Sequence, residues 1–205
     1  MALAGLVLAS AALQAQAQAQ GQTTAQGGPS PATVQACVVC HGPGGNSPTA
    51  AIPSIAGQPR VFLENQLVLI REGLREVPSM KGVMGGLSDE EIVALARHFA
   101  AQAALPPAGA VVQPERFRAG AAVSQRALCG TCHLPGYPGQ NQVPRLASQH
   151  EAYLAATMKM YRDQPAPGRD TAMSAALYGL KDTELESLAH YFAHHSAHHV
   201  AHVAR

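Results

Sequence analysis

All four cysteines of the 205-residue chain lie in two pentapeptides of the form Cys-x-x-Cys-His, at 37–41 and 129–133. The thiols are Cys37, Cys40, Cys129 and Cys132, and the histidines are His41 and His133. Two thiols three positions apart on a helical turn can each form a thioether with a vinyl group of haem, and the histidine that follows then lies under the iron. Two such motifs, which use every cysteine, predict two covalently bound haem c groups with the histidines as iron ligands.

Other chemistry of these cysteines fits their spacing less well. The two Cys-x-x-Cys pairs of a zinc ribbon lie about 15–20 residues apart, whereas Cys40 and Cys129 are 89 positions apart. A separate zinc site at each motif lacks a fourth ligand, because no further cysteine is present. A thioredoxin-like dithiol requires a preceding strand, which the sequence does not indicate. Two disulfides leave the histidines unexplained.

Composition narrows the classes of partner. Lys and Arg total 14 and Asp and Glu total 13, so the chain is nearly neutral and lacks the basic surface of a nucleic-acid-binding protein. Tryptophan is absent and aromatic residues make up 4% of the chain, which is little for a core that forms unaided. A haem in each half would supply apolar volume, and its binding would stabilise the fold.

The N-terminal segment has features of an export signal. Residues 2–13 are mostly apolar, but they are too few to span a bilayer, which takes about 20 residues. They suit a secretory signal peptide over 1–20 with Ala-x-Ala cleavage sites, although no Lys or Arg precedes them. A disordered alanine-rich tail is the alternative. Because haem c is attached outside the bacterial cytoplasmic membrane, export predicts a periplasmic protein.

The chain contains two copies of one module. Residues 52–58 resemble 143–149, and residues 87–92 resemble 180–185, at nearly the same offset as the cysteine motifs. The proline-rich stretch between the copies is typical of a linker. The predicted organisation is a low-complexity segment at 21–32, a first haem domain at 33–104, a linker at 105–114, a second haem domain at 115–195 and a histidine-rich tail at 196–205.

Both modules have the patterns of helices. Ser30 followed by Pro31 is typical of a helix start, and Ser88 with Glu91 forms a capping box. Apolar residues recur at three- and four-residue spacing from Phe62 to Leu74. No alternating strand pattern is present, so the predicted fold class is all-α, with two tandem domains that each enclose a haem.

The second axial ligand of the iron separates an electron carrier from an enzyme. Methionine suits a carrier of high potential, since a neutral thioether favours ferrous iron. Met80 lies eight residues before Ser88, and Met173 lies eight before Lys181, the residue aligned with Ser88. No other methionine pair is equivalent in both copies. We therefore predict Met80 and Met173 as the ligands, in loops before the last helix of each module.

Alternatives to these ligands exist in both modules. Met84 is a second candidate in the first module, although Leu177 takes its place in the second. Met158 and Met160 lie on or beside a helix stripe, where methionine usually packs. Ligation by His98 in place of methionine is a further alternative, beside packing at a haem edge.

The other histidines have a simpler interpretation. His150 and His190 have no histidine counterpart in the first copy and are expected at the surface. The C-terminal run is expected to be a solvated helix end, with adventitious metal binding as the alternative. It comprises His194, His195, His198, His199 and His202.

Together these motifs resemble the cytochrome c4 family over residues 33–195. The specific matches are 40–48, 55–58 and 87–89, with a Pro-x-x-Ala-x-Gln segment after each cysteine motif. The resemblance implies two class I cytochrome c domains. A glycine of the first helix in this family corresponds to Gly120 in the second module and to Ala32 in the first.

The resemblance also implies residues around the haem. In such domains a proline carbonyl accepts a hydrogen bond from the free ring nitrogen of the proximal histidine, which orients the ring; Pro53 and Pro144 match this proline. Gln58, Gln149 and Tyr153 match residues near the haem propionates.

The function implied is one-electron transfer in the periplasm, and not catalysis. Expected partners are redox proteins, with the cytochrome bc1 complex or a dehydrogenase as donor and a terminal oxidase as acceptor. No nucleic acid is expected as a partner, and peripheral membrane association is compatible with this role. The alternatives are a di-haem subunit of a sulfide- or thiosulfate-oxidising dehydrogenase complex, a di-haem enzyme such as a thiosulfate dehydrogenase or peroxidase, and a helical binding domain without haem. Met80 and Met173 argue against the enzyme, which needs an open iron site.

Overall fold

The computed structural model describes residues 28–164 and 166–195. The predicted signal peptide at 1–20, most of the low-complexity segment and the histidine-rich tail at 196–205 lie outside the described residues. Within the described ranges the chain forms nine α-helices and one 3-10 turn, with no β-strand and one isolated bridge between Gln140 and Val143. The all-α fold class is confirmed.

Each copy of the sequence contains five of these elements. The first module contains α1 (Pro31–His41), the 3-10 turn (Pro43–Gly45), α2 (Arg60–Arg71), α3 (Pro78–Met84) and α4 (Asp89–Ala100). The second module contains α5 (Pro114–Arg126), α6 (Cys129–His133), α7 (Glu151–Asp163), α8 (Thr171–Leu177) and α9 (Asp182–His194).

Two helix starts follow the predicted capping chemistry. The Ser30 hydroxyl accepts a hydrogen bond from the Thr33 backbone N–H at 3.1 Å, and Pro31 is the first helical residue. At α4 the Ser88 hydroxyl accepts from the Glu91 N–H at 3.2 Å, while the Glu91 carboxylate accepts from the Ser88 N–H at 2.9 Å. These bonds satisfy N–H groups that a helix start otherwise leaves without a partner.

Three details differ from the sequence prediction. Helix α2 ends at Arg71, so Leu74 lies beyond it and its side chain is 51% exposed. Met80 and Met173 lie in the short helices α3 and α8 and not in loops. The linker, predicted to end at residue 114, ends one residue earlier, because Pro114 begins α5.

Each module has its own apolar core. In the second module α9 packs on α5 and α7, and Leu185, Leu188 and Phe192 are almost fully buried there. In the first module α4 packs on α2 through Leu95 and Phe99. The first cysteine of each motif and the predicted methionine ligands pack against these cores, to which the last helix of each module contributes.

Gly120 allows a close approach of α5 and α9. A Cβ atom at this position would lie 2.1 Å from the Ser187 carbonyl oxygen and 2.5 Å from the Tyr191 Cβ. Helix α5 buries three residues, among them Gly120, whereas α1 of the first module buries only His41. The first helix is thus packed less deeply in the first module than in the second.

The linker is tied to the first module. The Asn46 side chain donates to the Ala103 carbonyl at 3.0 Å and accepts from the Leu105 N–H at 2.9 Å.

None of the helices in 28–164 and 166–195 combines the length and apolarity needed to cross a bilayer.

Candidate haem-binding sites

The two motif histidines are held in the same way. Nδ1–H of His41 donates to the Pro53 carbonyl oxygen at 2.8 Å, and Nδ1–H of His133 donates to that of Pro144 at 2.8 Å. Because a carbonyl oxygen only accepts, the ring proton is on Nδ1 and Nε2 keeps its lone pair. Both rings are buried, and burial lowers the pKa of each histidine below its ordinary value of 6.5, against the backbone hydrogen bond. Each imidazole is neutral at pH 7, the form that binds a metal.

The cysteines differ in setting between the modules. In the first module they lie in the last part of α1, which runs without interruption into His41. In the second module the motif is a separate short helix, α6, and Leu128 before it has a left-handed conformation with φ of 56°. All four thiols are free; Cys37 and Cys129 are partly buried, and burial raises the pKa of both. Cys37 and Cys129 are therefore protonated at neutral pH.

Met80 and Met173 occupy the same position in the two modules. Each is the third residue of its short helix, α3 or α8, and each is partly buried against the core of its module. Met158 is buried in the core of the second module, which is the packing role predicted for it. That Met80 and Met173 bind iron stays a prediction.

Two histidines expected at the surface are buried instead, so that prediction is wrong. His150 is 6% exposed, and its Nε2–H donates to the Ser47 carbonyl of the other module at 2.9 Å. His190 is 1% exposed; its Nε2 accepts from the Gln113 N–H at 2.9 Å, and its Nδ1–H donates to the Glu151 carboxylate at 2.8 Å. Their partners lie 39 to 103 residues away in sequence, and no local pattern indicates such contacts.

The start of the C-terminal histidine run is also packed and not solvated. Nδ1–H of His194 donates to the His190 carbonyl at 2.8 Å, and the two rings lie 4.2 Å apart. His195 contacts the rings of Tyr137 and Tyr191, with centroids 4.9 and 5.1 Å away. Residues 196–205, with the other histidines of the run, lie outside the described residues. His98 packs edge-on against its neighbour Phe99.

Although His190, His194 and Glu151 lie close together, they are a poor cation site. Both ring nitrogens of His190 are already used, one as an acceptor and one as a donor. The Glu151 carboxylate also accepts from Arg116 at 2.6 Å. We interpret the group as a structural hydrogen-bond network that joins α5, α7 and α9.

Gln58, Gln149 and Tyr153 lie at the contact between the modules. Both glutamine amides are buried and bond to the backbone of the opposite module. The Tyr153 hydroxyl accepts from the Arg75 guanidinium of the first module at 3.4 Å. Sequence reasoning identified these three residues but did not indicate this position.

Arg145 is a buried cation at the same contact, which the sequence prediction missed. Its side chain is 7% exposed and donates to the carbonyls of Ala56 and Ala147, while Nε has no hydrogen-bond partner. Burial lowers the pKa of Arg145 to about 10, and no carboxylate of the described residues forms an ion pair with it. A buried charge normally has a counter-charge, which haem propionates carry. The free thiols, the two unprotonated Nε2 atoms and this cation fit two haem c groups.

Comparison with known proteins extends this interpretation. Residues 31–98 match the family model described as cytochrome c oxidase, cbb3-type, subunit III. Cytochrome c4 of Pseudomonas aeruginosa is 30% identical over 163 residues, which cover 76% of this chain and 81% of that protein. A protein of Stutzerimonas stutzeri named thiosulfate dehydrogenase electron acceptor is 32% identical over 201 residues, which cover 93% of this chain and 92% of that protein.

A solved structure gives the same result for the fold. The crystal structure of reduced cytochrome c4 from Pseudomonas stutzeri matches with a TM-score of 0.72 at 27% identity, over 82% of this chain and 98% of that one. The likeness spans both modules, and each module carries its own Cys-x-x-Cys-His motif. The cofactors are therefore two haem c groups, and the chain belongs to the cytochrome c4 family of di-haem electron-transfer proteins.

Proposed function

We propose that this chain is a periplasmic one-electron carrier whose modules, at 33–104 and 115–195, each hold one haem c. In the first module the holding residues are Cys37, Cys40, His41 and Met80, and in the second they are Cys129, Cys132, His133 and Met173. The observation that carries the proposal is the pair of histidine–proline hydrogen bonds, each 2.8 Å long. They leave the Nε2 atom of each histidine free to bind iron, in the same way in both modules.

Haem c, when bound, supplies the one-electron couple, and the protein supplies orientation and environment. The cysteines anchor the group covalently through thioether bonds. The proline carbonyls fix the rotation and tautomer of each histidine ring, which makes its Nε2 a better electron donor. Burial of the histidines excludes water from the ligand side of each site.

The methionines decide between carrier and enzyme. As iron ligands, Met80 and Met173 would leave no coordination position free for a substrate, and their neutral sulfur would raise the reduction potential of each haem. The matching positions of Met80 and Met173 in α3 and α8 support this arrangement. We therefore propose transfer of electrons between protein partners and no reaction with a small-molecule substrate.

A dehydrogenase is the donor that the relatives favour. The name thiosulfate dehydrogenase electron acceptor belongs to a relative that aligns over nearly the whole chain. This supports either a free carrier that accepts electrons from such an enzyme or a cytochrome subunit bound to it. The cytochrome bc1 complex is the other donor that we consider, and a terminal oxidase is the proposed acceptor. Residues 1–20 are proposed as the export signal.

A spectroelectrochemical titration of the purified holoprotein tests the carrier function. We expect two haems per chain by pyridine haemochrome assay, two one-electron transitions, and no binding of cyanide or peroxide at low concentration. Rapid binding of either ligand to the ferric protein would show an open iron site and overturn the carrier proposal. Sedimentation of the protein, alone and with a thiosulfate dehydrogenase, separates a free carrier from a bound subunit.

A further inference from the structure

The contact between the modules contains two reciprocal amide interactions. The Gln58 side chain donates to the Arg145 carbonyl at 3.1 Å and accepts from the Arg145 N–H at 2.9 Å. The Gln149 side chain donates to the Ser54 carbonyl at 2.9 Å and accepts from the Ser54 N–H at 2.9 Å. Each glutamine thus satisfies both peptide groups of one residue in the other module. We call these four hydrogen bonds the crossed glutamine contacts.

The residues that receive these contacts adjoin the histidine-orienting prolines. The N–H of Arg145 and the carbonyl of Pro144 belong to one peptide unit, which is planar and conjugated. That carbonyl accepts from His133, while the N–H donates to Gln58. A continuous chain of hydrogen bonds therefore links the glutamine of the first module, through one peptide group, to the motif histidine of the second.

An equivalent chain of hydrogen bonds links the glutamine of the second module to the motif histidine of the first. The Pro53 carbonyl accepts from His41, and the N–H of the same peptide unit, on Ser54, donates to the Gln149 side chain. The amide oxygen of Gln149 also accepts from the His150 N–H at 3.0 Å, and two N–H donors fix which end of the amide is oxygen. The duplication of the sequence has thus produced a two-way exchange between the modules.

Because the residues are buried, water does not compete for these hydrogen bonds. Gln58 is 4% exposed, Gln149 2%, Ser54 4% and Arg145 7%. In such surroundings hydrogen bonds polarise one another, so a donor on the peptide N–H makes the carbonyl of that peptide a stronger acceptor. A stronger acceptor draws more strongly on the histidine Nδ1–H, which makes the opposite Nε2 a better electron donor.

We propose that Gln58 and Gln149 are positioning residues, each of which tunes the axial histidine of the opposite module. The proposal rests on the function proposed above, in which His41 and His133 bind the haem irons. Since a more electron-rich histidine stabilises ferric iron, each glutamine lowers the reduction potential of the haem in the other module. A purely adhesive role predicts no such crossed effect.

The test uses the holoprotein with Gln58→Leu and Gln149→Leu, which keep side-chain volume and remove the amide. We expect Gln58→Leu to shift the Nδ1–H resonance of His133 and to raise the midpoint of its haem, with His41 unchanged. Because the glutamine acts through a peptide group, we expect the reduced-to-oxidised ratio at fixed potential to change by less than about tenfold, the lower end of the effect of a direct partner of a ligating histidine. Gln149→Leu should instead shift the Nδ1–H resonance of His41 and raise the midpoint of its haem, with His133 unchanged. Assigned spectra of histidine-labelled ferrous protein identify which histidine responds.

Gln102→Leu is the matched control, because its amide donates within the first module, to the His98 carbonyl at 3.1 Å. It should move neither histidine resonance. A shift confined to the same module as the substituted glutamine, an equal shift in both modules, or no shift would each overturn the proposal.

A measurement on the unaltered protein covers the case in which the variants do not fold. Amide hydrogen exchange at Ser54 and Arg145 should be slow, and fast exchange at either residue would contradict the contact on that side. Haem counting on the same samples separates the two proposals. Two haems without a crossed shift overturn the role of the glutamines alone, whereas fewer than two haems in the unaltered protein overturn both.

Discussion

Met84 and Leu177 are the last residues of α3 and α8, and both side chains are 2% exposed. In each helix the predicted iron ligand lies four residues earlier, about one turn away, at Met80 or Met173. Leucine cannot bind iron, so the shared burial of this pair indicates packing at both positions. Met84 lies in a cluster with Ile92. The structure thus favours Met80 over the alternative that the sequence left open.

Replacement of Met84 tests this distinction. Met84→Leu should lower the free energy of unfolding by less than about 1.5 kcal/mol, since the two side chains have similar volume. Met84→Ala should lower it by about 2–5 kcal/mol, because a cavity remains. Neither change should alter the ferric-state sulfur-to-iron charge-transfer band. Loss of half of that band in Met84→Leu would identify Met84 as a ligand.

Gly120→Ala should destabilise the second module. The new methyl group would lie 2.1 Å from the Ser187 carbonyl oxygen, so α5 and α9 must move apart. We expect the free energy of unfolding to fall by about 1–3 kcal/mol or more, as measured by denaturant titration of the holoprotein.

Gly82→Ala is the matched control, since Gly82 lies within α3 and a Cβ there meets no atom within 4 Å. Alanine is the better helix former by about 1 kcal/mol, so this change should be neutral or slightly stabilising. Equal losses in the two variants would argue against the close approach of α5 and α9.

Glu151 should make stability depend on acid pH. Burial opposes its charge, but hydrogen bonds from His190 and Arg116 outweigh burial and hold the pKa of Glu151 below its ordinary value of 4.5. The folded state therefore binds fewer protons than the unfolded state. The contribution of ionised Glu151 to the free energy of unfolding is present above pH 4.5 and is lost as pH falls through the lower pKa of the folded state.

Glu151→Gln removes this contribution. At pH 7 we expect the free energy of unfolding to fall by about 1 kcal/mol. The fall is smaller than for a fully buried charge, because a third of the Glu151 side chain is exposed. The difference from the unaltered protein should vanish at a pH well below 4.5. Glu90→Gln, at an exposed carboxyl of α4, is the control. A difference for Glu151→Gln that is the same at both pH values would contradict the account.

Local signals made much of the fold predictable. The starts of α1 and α4 depend on Ser30, Ser88 and Glu91, whose capping bonds join residues three apart. The duplication located α7 and α9 by analogy with α2 and α4. Helices α3 and α8 were mistaken for loops, since a seven-residue segment such as Pro78–Met84, with proline at its start and a glycine inside, has the composition of a loop.

The contacts between modules were not predictable in the same way. His190 depends on partners 39 and 77 residues distant, and Gln149 on a partner 95 residues distant. A single sequence contains no periodicity that joins such positions. The burial of Arg145 also had no local signal, because it results from the contact between the modules. Chemistry at the motifs was readable because attachment places the reacting groups within five residues.

The most direct test of the carrier account is the amplitude of the ferric-state sulfur-to-iron charge-transfer band, measured per chain. The account predicts two equivalents in the unaltered protein, one in Met80→Ala, one in Met173→Ala and none in the double variant, with two haems retained throughout. A band that persists at full amplitude in both single variants would contradict it, since the sulfur of another residue would then bind the iron.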